Sequence, residues 1–339
     1  MPARVSAVIP ASAIEGGRIS ILGEQFPTDQ PQLPSVRIGD APARLVFASP
    51  SRLDAVVPAG LGGGSVPVRI ADAAGESLFV QVASPFASGL HQVDNPVFDR
   101  DGNLYVTFSG TRGQQVPVSI FRVTPAGTRE TFSSGIVNPT SMAMGPDGLL
   151  YVSSRFEGVV YRVAADGTAE AFATDLGVAC GLAFAADGAL FVGDRSGTIF
   201  RVDRAGKATT FATVPSSVAA FHLAMGPDGA LFVTGPTLGS YDAVYRISPA
   251  GDVSEFFVGF GRPQGLAFDA AGVLHVVEAL AGSSGVYRVA GDAKPALTLA
   301  GPALVGVAFD RDGTLVVCSN DTAYRLPVQS RPHVPTASA

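Results

Sequence analysis

A short turn-and-strand motif recurs through most of this 339-residue chain. Each copy places an Asp-Gly or Ala-Gly turn before an apolar strand, and the copies begin at residues 101, 147, 187, 228, 271 and 312. The intervals between them are 46, 40, 41, 43 and 41 residues. A nearly constant interval of about 40 residues is typical of a repeat architecture.

Each repeat contains four segments with the pattern of β-strands. An apolar strand such as GLAFA precedes the motif, a strand such as IFRV follows it, and most repeats add a fourth, such as EAFATD. Because four antiparallel strands form one propeller blade, six motifs predict six blades over residues 85–326. The last repeat has no strand-like sequence after Leu326, whereas PFASGLHQVDN before the first motif resembles a fourth strand. We therefore expect this segment to complete the last blade and close the ring.

Residues 1–84 follow a different pattern. Short alternating runs such as RISIL and VPVRI are separated by turn residues, which predicts a small β-sandwich. The segments ISILGEQF, VRIGDAPA and VVPAG resemble the IPT/TIG immunoglobulin-like family over about 80 residues. The expected fold is all-β: an immunoglobulin-like sandwich at 1–84, a six-bladed β-propeller at 85–326 and a flexible Pro- and Ser-rich tail at 327–339.

Composition excludes several classes of protein. The net charge is −6, Lys207 and Lys294 are the only lysines, and there is no basic run, so nucleic acid is not an expected partner. No stretch reaches the ~18 apolar residues that a membrane span needs. The N-terminus, broken by Pro10, lacks the apolar core of a signal peptide. We expect a soluble protein, cytoplasmic by default.

Residues shared by every repeat favour architectural roles. An arginine follows the aromatic residue of each third strand, at positions 122, 162, 201, 246, 288 and 325. His275 takes the place of the tyrosine or phenylalanine found in four other repeats, which indicates a packing role. Cys180 and Cys318 lie three repeats apart, on opposite sides of a six-fold ring, too far for a disulfide whose Cα atoms must come within about 7 Å.

Chemistry is expected where the repeats differ. The loop into each first strand and the loop after each second strand open on one face of a propeller, around its channel. Polar side chains at these positions predict one shared pocket. The candidate residues are Asp94, Asn95, Thr140, Cys180, Asp194, His222, Gln264 and Glu278.

The repeats resemble the six-bladed NHL and senescence-marker-protein/gluconolactonase propellers over residues 87–326. That resemblance implies lactonase or esterase chemistry with a divalent metal at the channel mouth. Asp94-Asn95-Pro96 stands where that family has a glutamate motif, and Cys180-Gly181 and Gln264-Gly265 stand where it has asparagine or aspartate motifs. The resemblance implies Asp94 and Gln264 as ligands of Ca²⁺ or Zn²⁺. Because the other positions are neutral or apolar, we expect the site to be degenerate and without a cation.

Three functions remain open at this point. The first is a binding propeller whose top face takes a small molecule or a protein. The second is a metal-dependent lactonase or esterase in which Asp94 or Glu278 activates water. The third is a lyase or isomerase that uses the same pocket without metal. Cys180 is interpreted as a small buried cysteine, with a thiol nucleophile paired to His222 as the alternative.

Overall fold

The chain is all-β in the computed structural model, which describes residues 3–29, 33–71, 73, 77–291 and 294–326. The expected tail at 327–339 lies outside these residues. Within the described ranges, no helix has the length and apolar character needed to cross a membrane.

Eight strands form before residue 84, in segments where β-branched and apolar residues alternate with polar ones. They are β1 (Arg4–Ile9), β2 (Ser12–Ala13), β3 (Arg18–Glu24), β4 (Val36–Ile38), β5 (Ala41–Ser49), β6 (Arg52–Val56), β7 (Gly64–Ile70) and β8 (Leu78–Val82). Strand β5 pairs with β4 through its first residues and with β6 through its last residues. The inward side chains of the strands on either side of β5, among them Ile21, Ile38 and Val68, enclose one apolar core.

The repeats begin after β9 (Ser84–Ala87). The first two contribute β10 (Val97–Phe98), β11 (Leu104–Thr107), β12 (Ile120–Val123), β13 (Arg129–Ser133), β14 (Pro139–Met144), β15 (Leu150–Ser154), β16 (Val159–Val163) and β17 (Ala169–Ala173). The next two contribute β18 (Ala179–Phe184), β19 (Leu190–Asp194), β20 (Thr198–Val202), β21 (Ala208–Thr213), β22 (His222–Met225), β23 (Leu231–Thr234), β24 (Asp242–Ile247) and β25 (Val253–Phe260). The last two contribute β26 (Pro263–Phe268), β27 (Leu274–Glu278), β28 (Gly285–Val289), β29 (Ala296–Ala300), β30 (Leu304–Phe309), β31 (Leu315–Ser319) and β32 (Ala323–Leu326).

The first strands of the repeats form a closed ring. They contact one another in chain order, from β10 through β14, β18, β22 and β26 to β30, and β30 contacts β10 again. Five separate sheets of four antiparallel strands radiate from this ring. The arrangement is that of a β-propeller. Loops that enter the first strands therefore meet at one end of a central channel.

Closure of the ring occurs where the sequence predicts it. Strand β9 pairs antiparallel with β32, with Ala87 opposite Ala323, and completes the sheet of the last repeat. The expectation that the segment before the first motif supplies this fourth strand is confirmed. A strand from the start of the propeller thus covers the edge that β32 would otherwise expose.

The N-terminal strands are not a separate sheet from the propeller. The short strand β2 pairs in parallel with β8 on one side and with β29 on the other, so Ser12 lies between Gln81 and Leu299. One sheet of twelve strands results, with β29-β28-β27-β26 at one end. The sequence predicts two units and leaves open whether they pack on one another. Main-chain hydrogen bonds through Ser12 and Ala13 join them, because the edge of β29 offers unpaired peptide groups to β2.

The packing role expected of His275 is confirmed. Its Nε2 lies 3.1 Å from Asp269 Oδ2, and its ring packs edge-on against Phe309. Tyr105 and Tyr151 occupy the same position in other repeats and donate their hydroxyls to Asp99 and Asp147. His275 therefore reproduces the hydrogen bond that Tyr105 makes to the equivalent aspartate of the first repeat.

Candidate functional site at the channel mouth

A cavity of about 320 Å³ lies at the end of the channel where the loops into the first strands converge. We call it the mouth cavity. Its polar lining consists of Gln92, Arg155, Cys180, Arg195, Gln264 and Asn320. Four valines and two alanines complete the lining. A few polar groups on an apolar wall are characteristic of small-molecule sites.

Two of the candidate residues reach the mouth cavity. Cys180 and Gln264 both line it, as their shared position seven residues before the repeat motif predicts. The Cys180 thiol is buried and donates to the carbonyl oxygen of Val178 at 3.2 Å. Burial raises the pKa of Cys180 to about 11, and the charge of Asp94 adds to this shift. The thiol is therefore protonated and a poor nucleophile near neutral pH.

Asp94 and His222 meet in the buried interior. Oδ1 of Asp94 lies 2.5 Å from Nδ1 of His222, and both side chains are almost fully buried. Nε2 of His222 has no hydrogen-bond partner among the described residues. A carboxylate on Nδ1 holds the ring in the tautomer that leaves Nε2 as an acceptor. This pair therefore has the arrangement of an oriented imidazole base.

Four other candidate side chains are held by main-chain groups. Asn95 donates to Leu266 O and accepts from Val307 N, each at 2.9 Å, and so ties together the first strands of the last two repeats. Thr140 donates to Asn138 O at 3.0 Å. Asp194 accepts from Val178 N at 2.8 Å and from the Ser196 hydroxyl. None of the three is part of the mouth-cavity lining.

Glu278 is the fourth of these side chains. Its carboxylate accepts three main-chain N–H groups, from Gly261 at 2.6 Å, Arg262 at 2.9 Å and Leu280 at 2.7 Å. The side chain is buried and anchors the loop that leads into β26. Because three main-chain N–H groups hold the side chain in place, this geometry is that of a structural carboxylate. A catalytic role for Glu278 stays a prediction that these contacts do not favour.

The two arginines of the mouth cavity were not among the candidates. Arg155 and Arg195 stand eight residues after their repeat motifs, as does Asn320. The signal that could have found them is this shared position immediately after a second strand.

The electrostatics of the mouth cavity are positive. Burial and the nearby guanidinium groups of Arg195 and Arg112 lower the pKa of Arg155, although it stays charged at any ordinary pH. Burial and the charge of Arg155 also lower the pKa of His91 beside it. Within the part of the chain that the structure describes, Arg155 and Arg195 form no ion pair, and no aspartate or glutamate lines the cavity.

The donor set does not fit the metal that the family resemblance implies. Asp94 uses a carboxylate oxygen on His222, and Glu278 is occupied by three main-chain groups. Among residues 3–326 as described, no three His, Cys, Asp or Glu side chains are grouped so as to hold an ion. A hard divalent cation needs six or more oxygen ligands, several of them charged.

A larger cavity, of about 830 Å³, lies at the opposite ends of the strands, around the turns of the first two repeats. Its principal acid, Asp99, already accepts from the main-chain N–H groups of Asp101 and Asn103 and from the Tyr105 hydroxyl. Such contacts close a turn and hold the Asp99 carboxylate within its own loop. The mouth cavity is therefore the better candidate despite its smaller volume.

Comparison with known proteins places these observations in a family. A sequence profile described as the virginiamycin B lyase family matches residues 97–315. No curated protein sequence matches the chain significantly. The expected NHL and IPT/TIG memberships are not what the profile reports. Propeller families share the turn-and-strand repeat, so that motif alone does not separate them.

Solved structures with 14 to 17% identity share the fold. A catalytically inactive histidine-to-alanine variant of virginiamycin B lyase from Staphylococcus aureus, with quinupristin, has a TM-score of 0.53 at 16% identity, covering 96% of this chain and 95% of that one. An auxiliary nutrient binding protein from Bacteroides ovatus has a TM-score of 0.54 at 14% identity, covering 97% and 99%. A protein assigned provisionally as a gluconolactonase has a TM-score of 0.59 at 17% identity, covering 72% and 90%. Because the profile matches more than half of the length of the chain, this β-propeller protein belongs to the virginiamycin B lyase family.

Proposed function

We propose that the mouth cavity binds a small anionic molecule, such as a carboxylate or a phosphate ester. The observation that carries this proposal is the pair Arg155 and Arg195, which face one cavity without a carboxylate partner among the described residues. Guanidinium groups repel one another when they are brought together in a partly desolvated place. A bound anion relieves that repulsion and accepts paired hydrogen bonds from the planar forks.

The rest of the lining suits a compact ligand. Gln92, Gln264 and Asn320 present amide groups, and the valines and alanines present apolar surface. A volume of about 320 Å³ is at the lower end of the range of small-molecule sites. The name of the Bacteroides ovatus relative, an auxiliary nutrient binding protein, supports a binding role for the shared fold.

Binding measurements with arginine variants test this proposal. Titration calorimetry with acetate, succinate, citrate and phosphate should show saturable binding of at least one anion. Arg155→Gln and Arg195→Gln should each weaken it about tenfold, since a lost charge-assisted hydrogen bond is worth roughly 1.5–3 kcal/mol. Arg44→Gln, an exposed arginine in β5, is the matched control and should change nothing. Equal affinity in all four proteins, or no binding of any anion, contradicts the proposal.

A lyase-type reaction is the second candidate, because Asp94 orients His222 and leaves Nε2 without a partner. The Staphylococcus aureus relative loses activity when a histidine becomes alanine, and this supports a histidine base in the fold. Quinupristin, the compound in that structure, is the probe: conversion would be followed by chromatography in the native protein and in His222→Gln. If His222→Gln still converts quinupristin, His222 is not the base. If the native protein does not convert quinupristin, this compound is not its substrate.

The lactonase alternative receives less support. A cation held by Asp94 and Gln264 would compete with His222 for the Asp94 carboxylate, whose Oδ1 already bonds Nδ1 of the histidine. Thermal unfolding with Ca²⁺, Zn²⁺, Mg²⁺ and Mn²⁺ tests the cation directly, and we expect no rise in Tm. A rise that Asp94→Ala abolishes, together with lactone or ester turnover, would revive the metal-dependent hydrolase.

We also infer the finer architecture that the sequence predicts. Strands β26–β29 follow the same consecutive antiparallel order as the five separate sheets, and β26 takes its place in the ring between β22 and β30. These four strands are the further blade of a six-bladed propeller. The eight N-terminal strands, which enclose their own core, are an immunoglobulin-like unit of the IPT/TIG type.

A further inference from the structure

A second cavity on the same face has the opposite charge. It measures about 440 Å³ and lies beside the mouth cavity, between the loops that flank β22 and β23 and the outer strands β24 and β25. Its charged lining residues are Asp242 and Glu255, and no lysine, arginine or histidine is among the described residues that line it. We call it the acidic groove. Val218 lines both cavities and stands between them.

Asp242 carries the strongest evidence for a ligand in the acidic groove. The residue is only 3% exposed, and its Oδ1 accepts from the N–H of Thr237 at 3.0 Å and from the Thr237 hydroxyl at 2.6 Å. Its Oδ2 is buried and has no hydrogen-bond partner among the described residues. A buried carboxylate oxygen without a partner is unfavourable, and native proteins leave few such groups unexplained.

Glu255 and Tyr245 show that the negative charge is concentrated here. Burial, and then the charges of Glu255 and Asp242, raise the pKa of Tyr245, which lines the groove beside both acids. Neither carboxylate forms an ion pair within the described residues. The groove therefore holds two acids without a counter-charge.

The remaining lining is aromatic and aliphatic. Tyr241 is 69% exposed and Leu238 is 92% exposed, an unusual degree for apolar side chains beside a cavity. The faces of tyrosine rings attract cations, and aliphatic side chains attract the hydrocarbon part of a ligand. The loop that carries both residues joins β23 to β24 and has seven residues, whereas three separate β19 from β20.

We propose that the acidic groove binds an organic ammonium ion, a primary amine with an apolar body. The amine nitrogen donates to Asp242 Oδ2 and lies near Glu255, and its hydrocarbon part packs against Leu238 and the ring of Tyr241. The groove volume of about 440 Å³ accommodates a small molecule of this class. This site is separate from the anion site of the mouth cavity and does not depend on it.

Butylammonium and butanol are the probes, because they share an apolar body and differ in charge. Chemical shifts of the tyrosine ring protons should change saturably with butylammonium and not with butanol. Glu255→Gln, at an exposed position, and Asp242→Asn, which keeps an oxygen for Thr237, should each weaken binding about tenfold. Asp252→Asn removes an exposed acid of the same sheet outside the groove and should bind as the native protein does. Equal binding of the two probes, or unchanged affinity in both groove variants, overturns the proposal.

Two further experiments test whether the amine is a free molecule or a lysine side chain, and whether the acidic groove binds independently of the mouth cavity. N-acetyl-lysine methylamide presents the same ammonium as a protein side chain would, and binding confined to this probe would overturn the assignment to a free amine. Arg155→Gln should leave butylammonium affinity unchanged. A loss in Arg155→Gln equal to that in Glu255→Gln would overturn the separation of the two sites.

Discussion

Asp94 and His222 are 128 residues apart in sequence, and a hydrogen bond of 2.5 Å joins their side chains. Asp94 precedes β10, His222 opens β22, and these strands stand three places apart in a ring of six contacting first strands. The bond therefore crosses the propeller from one side to the other. It connects two sheets that share no strand pairing.

Removal of either partner should destabilise the protein. Asp94→Ala removes the hydrogen-bond partner of Nδ1 of His222, and Nε2 already has none among the described residues. Two buried polar atoms are then unpaired, and the free energy of unfolding should fall by about 3 kcal/mol. Denaturant unfolding of Asp94→Ala, His222→Ala and the double variant measures the coupling between them. The double variant should lose much less than the sum of the single losses. Additive losses would show that the hydrogen bond contributes nothing specific.

Glu278 should matter for stability even without a catalytic role. Glu278→Ala leaves three main-chain N–H groups, in the loops before β26 and after β27, without an acceptor, so the free energy of unfolding should fall by roughly 2–4 kcal/mol. Glu130→Ala removes an exposed carboxylate that pairs with Arg122, and we expect a change of less than about 1 kcal/mol. Similar losses in both variants would mean that the loop accommodates the change at no cost.

His275 should make stability depend on pH. Burial lowers the pKa of His275 in the folded state, although the carboxylate of Asp269 opposes this. The unfolded chain therefore takes up a proton more readily, and stability should fall as the pH drops below the ordinary histidine pKa of about 6.5. His275→Tyr keeps a donor to Asp269, as Tyr105 does for Asp99 in the first repeat, and should reduce this slope in thermal unfolding between pH 7.5 and 5.5. An unchanged slope would assign it to another group.

Both cysteines should resist thiol reagents in the folded protein. Each is free and buried, and burial raises the pKa of Cys180 to about 11 and that of Cys318 further. A colorimetric thiol assay at pH 8 should count close to zero thiols in the native state and two after denaturation. Rapid modification of Cys180 in the native state would show instead that the mouth cavity opens to the reagent and activates the thiol.

The repeat motif by itself predicts much of this architecture. The intervals of about 40 residues predict the sheets, and the segment before the first motif predicts the strand that completes the last one. Arginines that recur in every third strand predict architectural roles, and Arg122 indeed pairs with Glu130 on the neighbouring strand. These features follow from local periodicity, since strand pairing within a repeat involves neighbours in sequence.

Relations between distant repeats depend on the tertiary structure. The sequence places Asp94 and His222 at adjacent repeat positions, yet only the closed ring brings their side chains into contact. The same holds for Arg155 and Arg195, which become one positive cavity wall when successive sheets turn about the channel, and for Ser12, which joins β8 to β29. A periodic sequence pattern determines the four-stranded sheet and the order of such sheets along the chain. The angles between units, which set every contact across the ring, arise from the packing of whole sheets against one another.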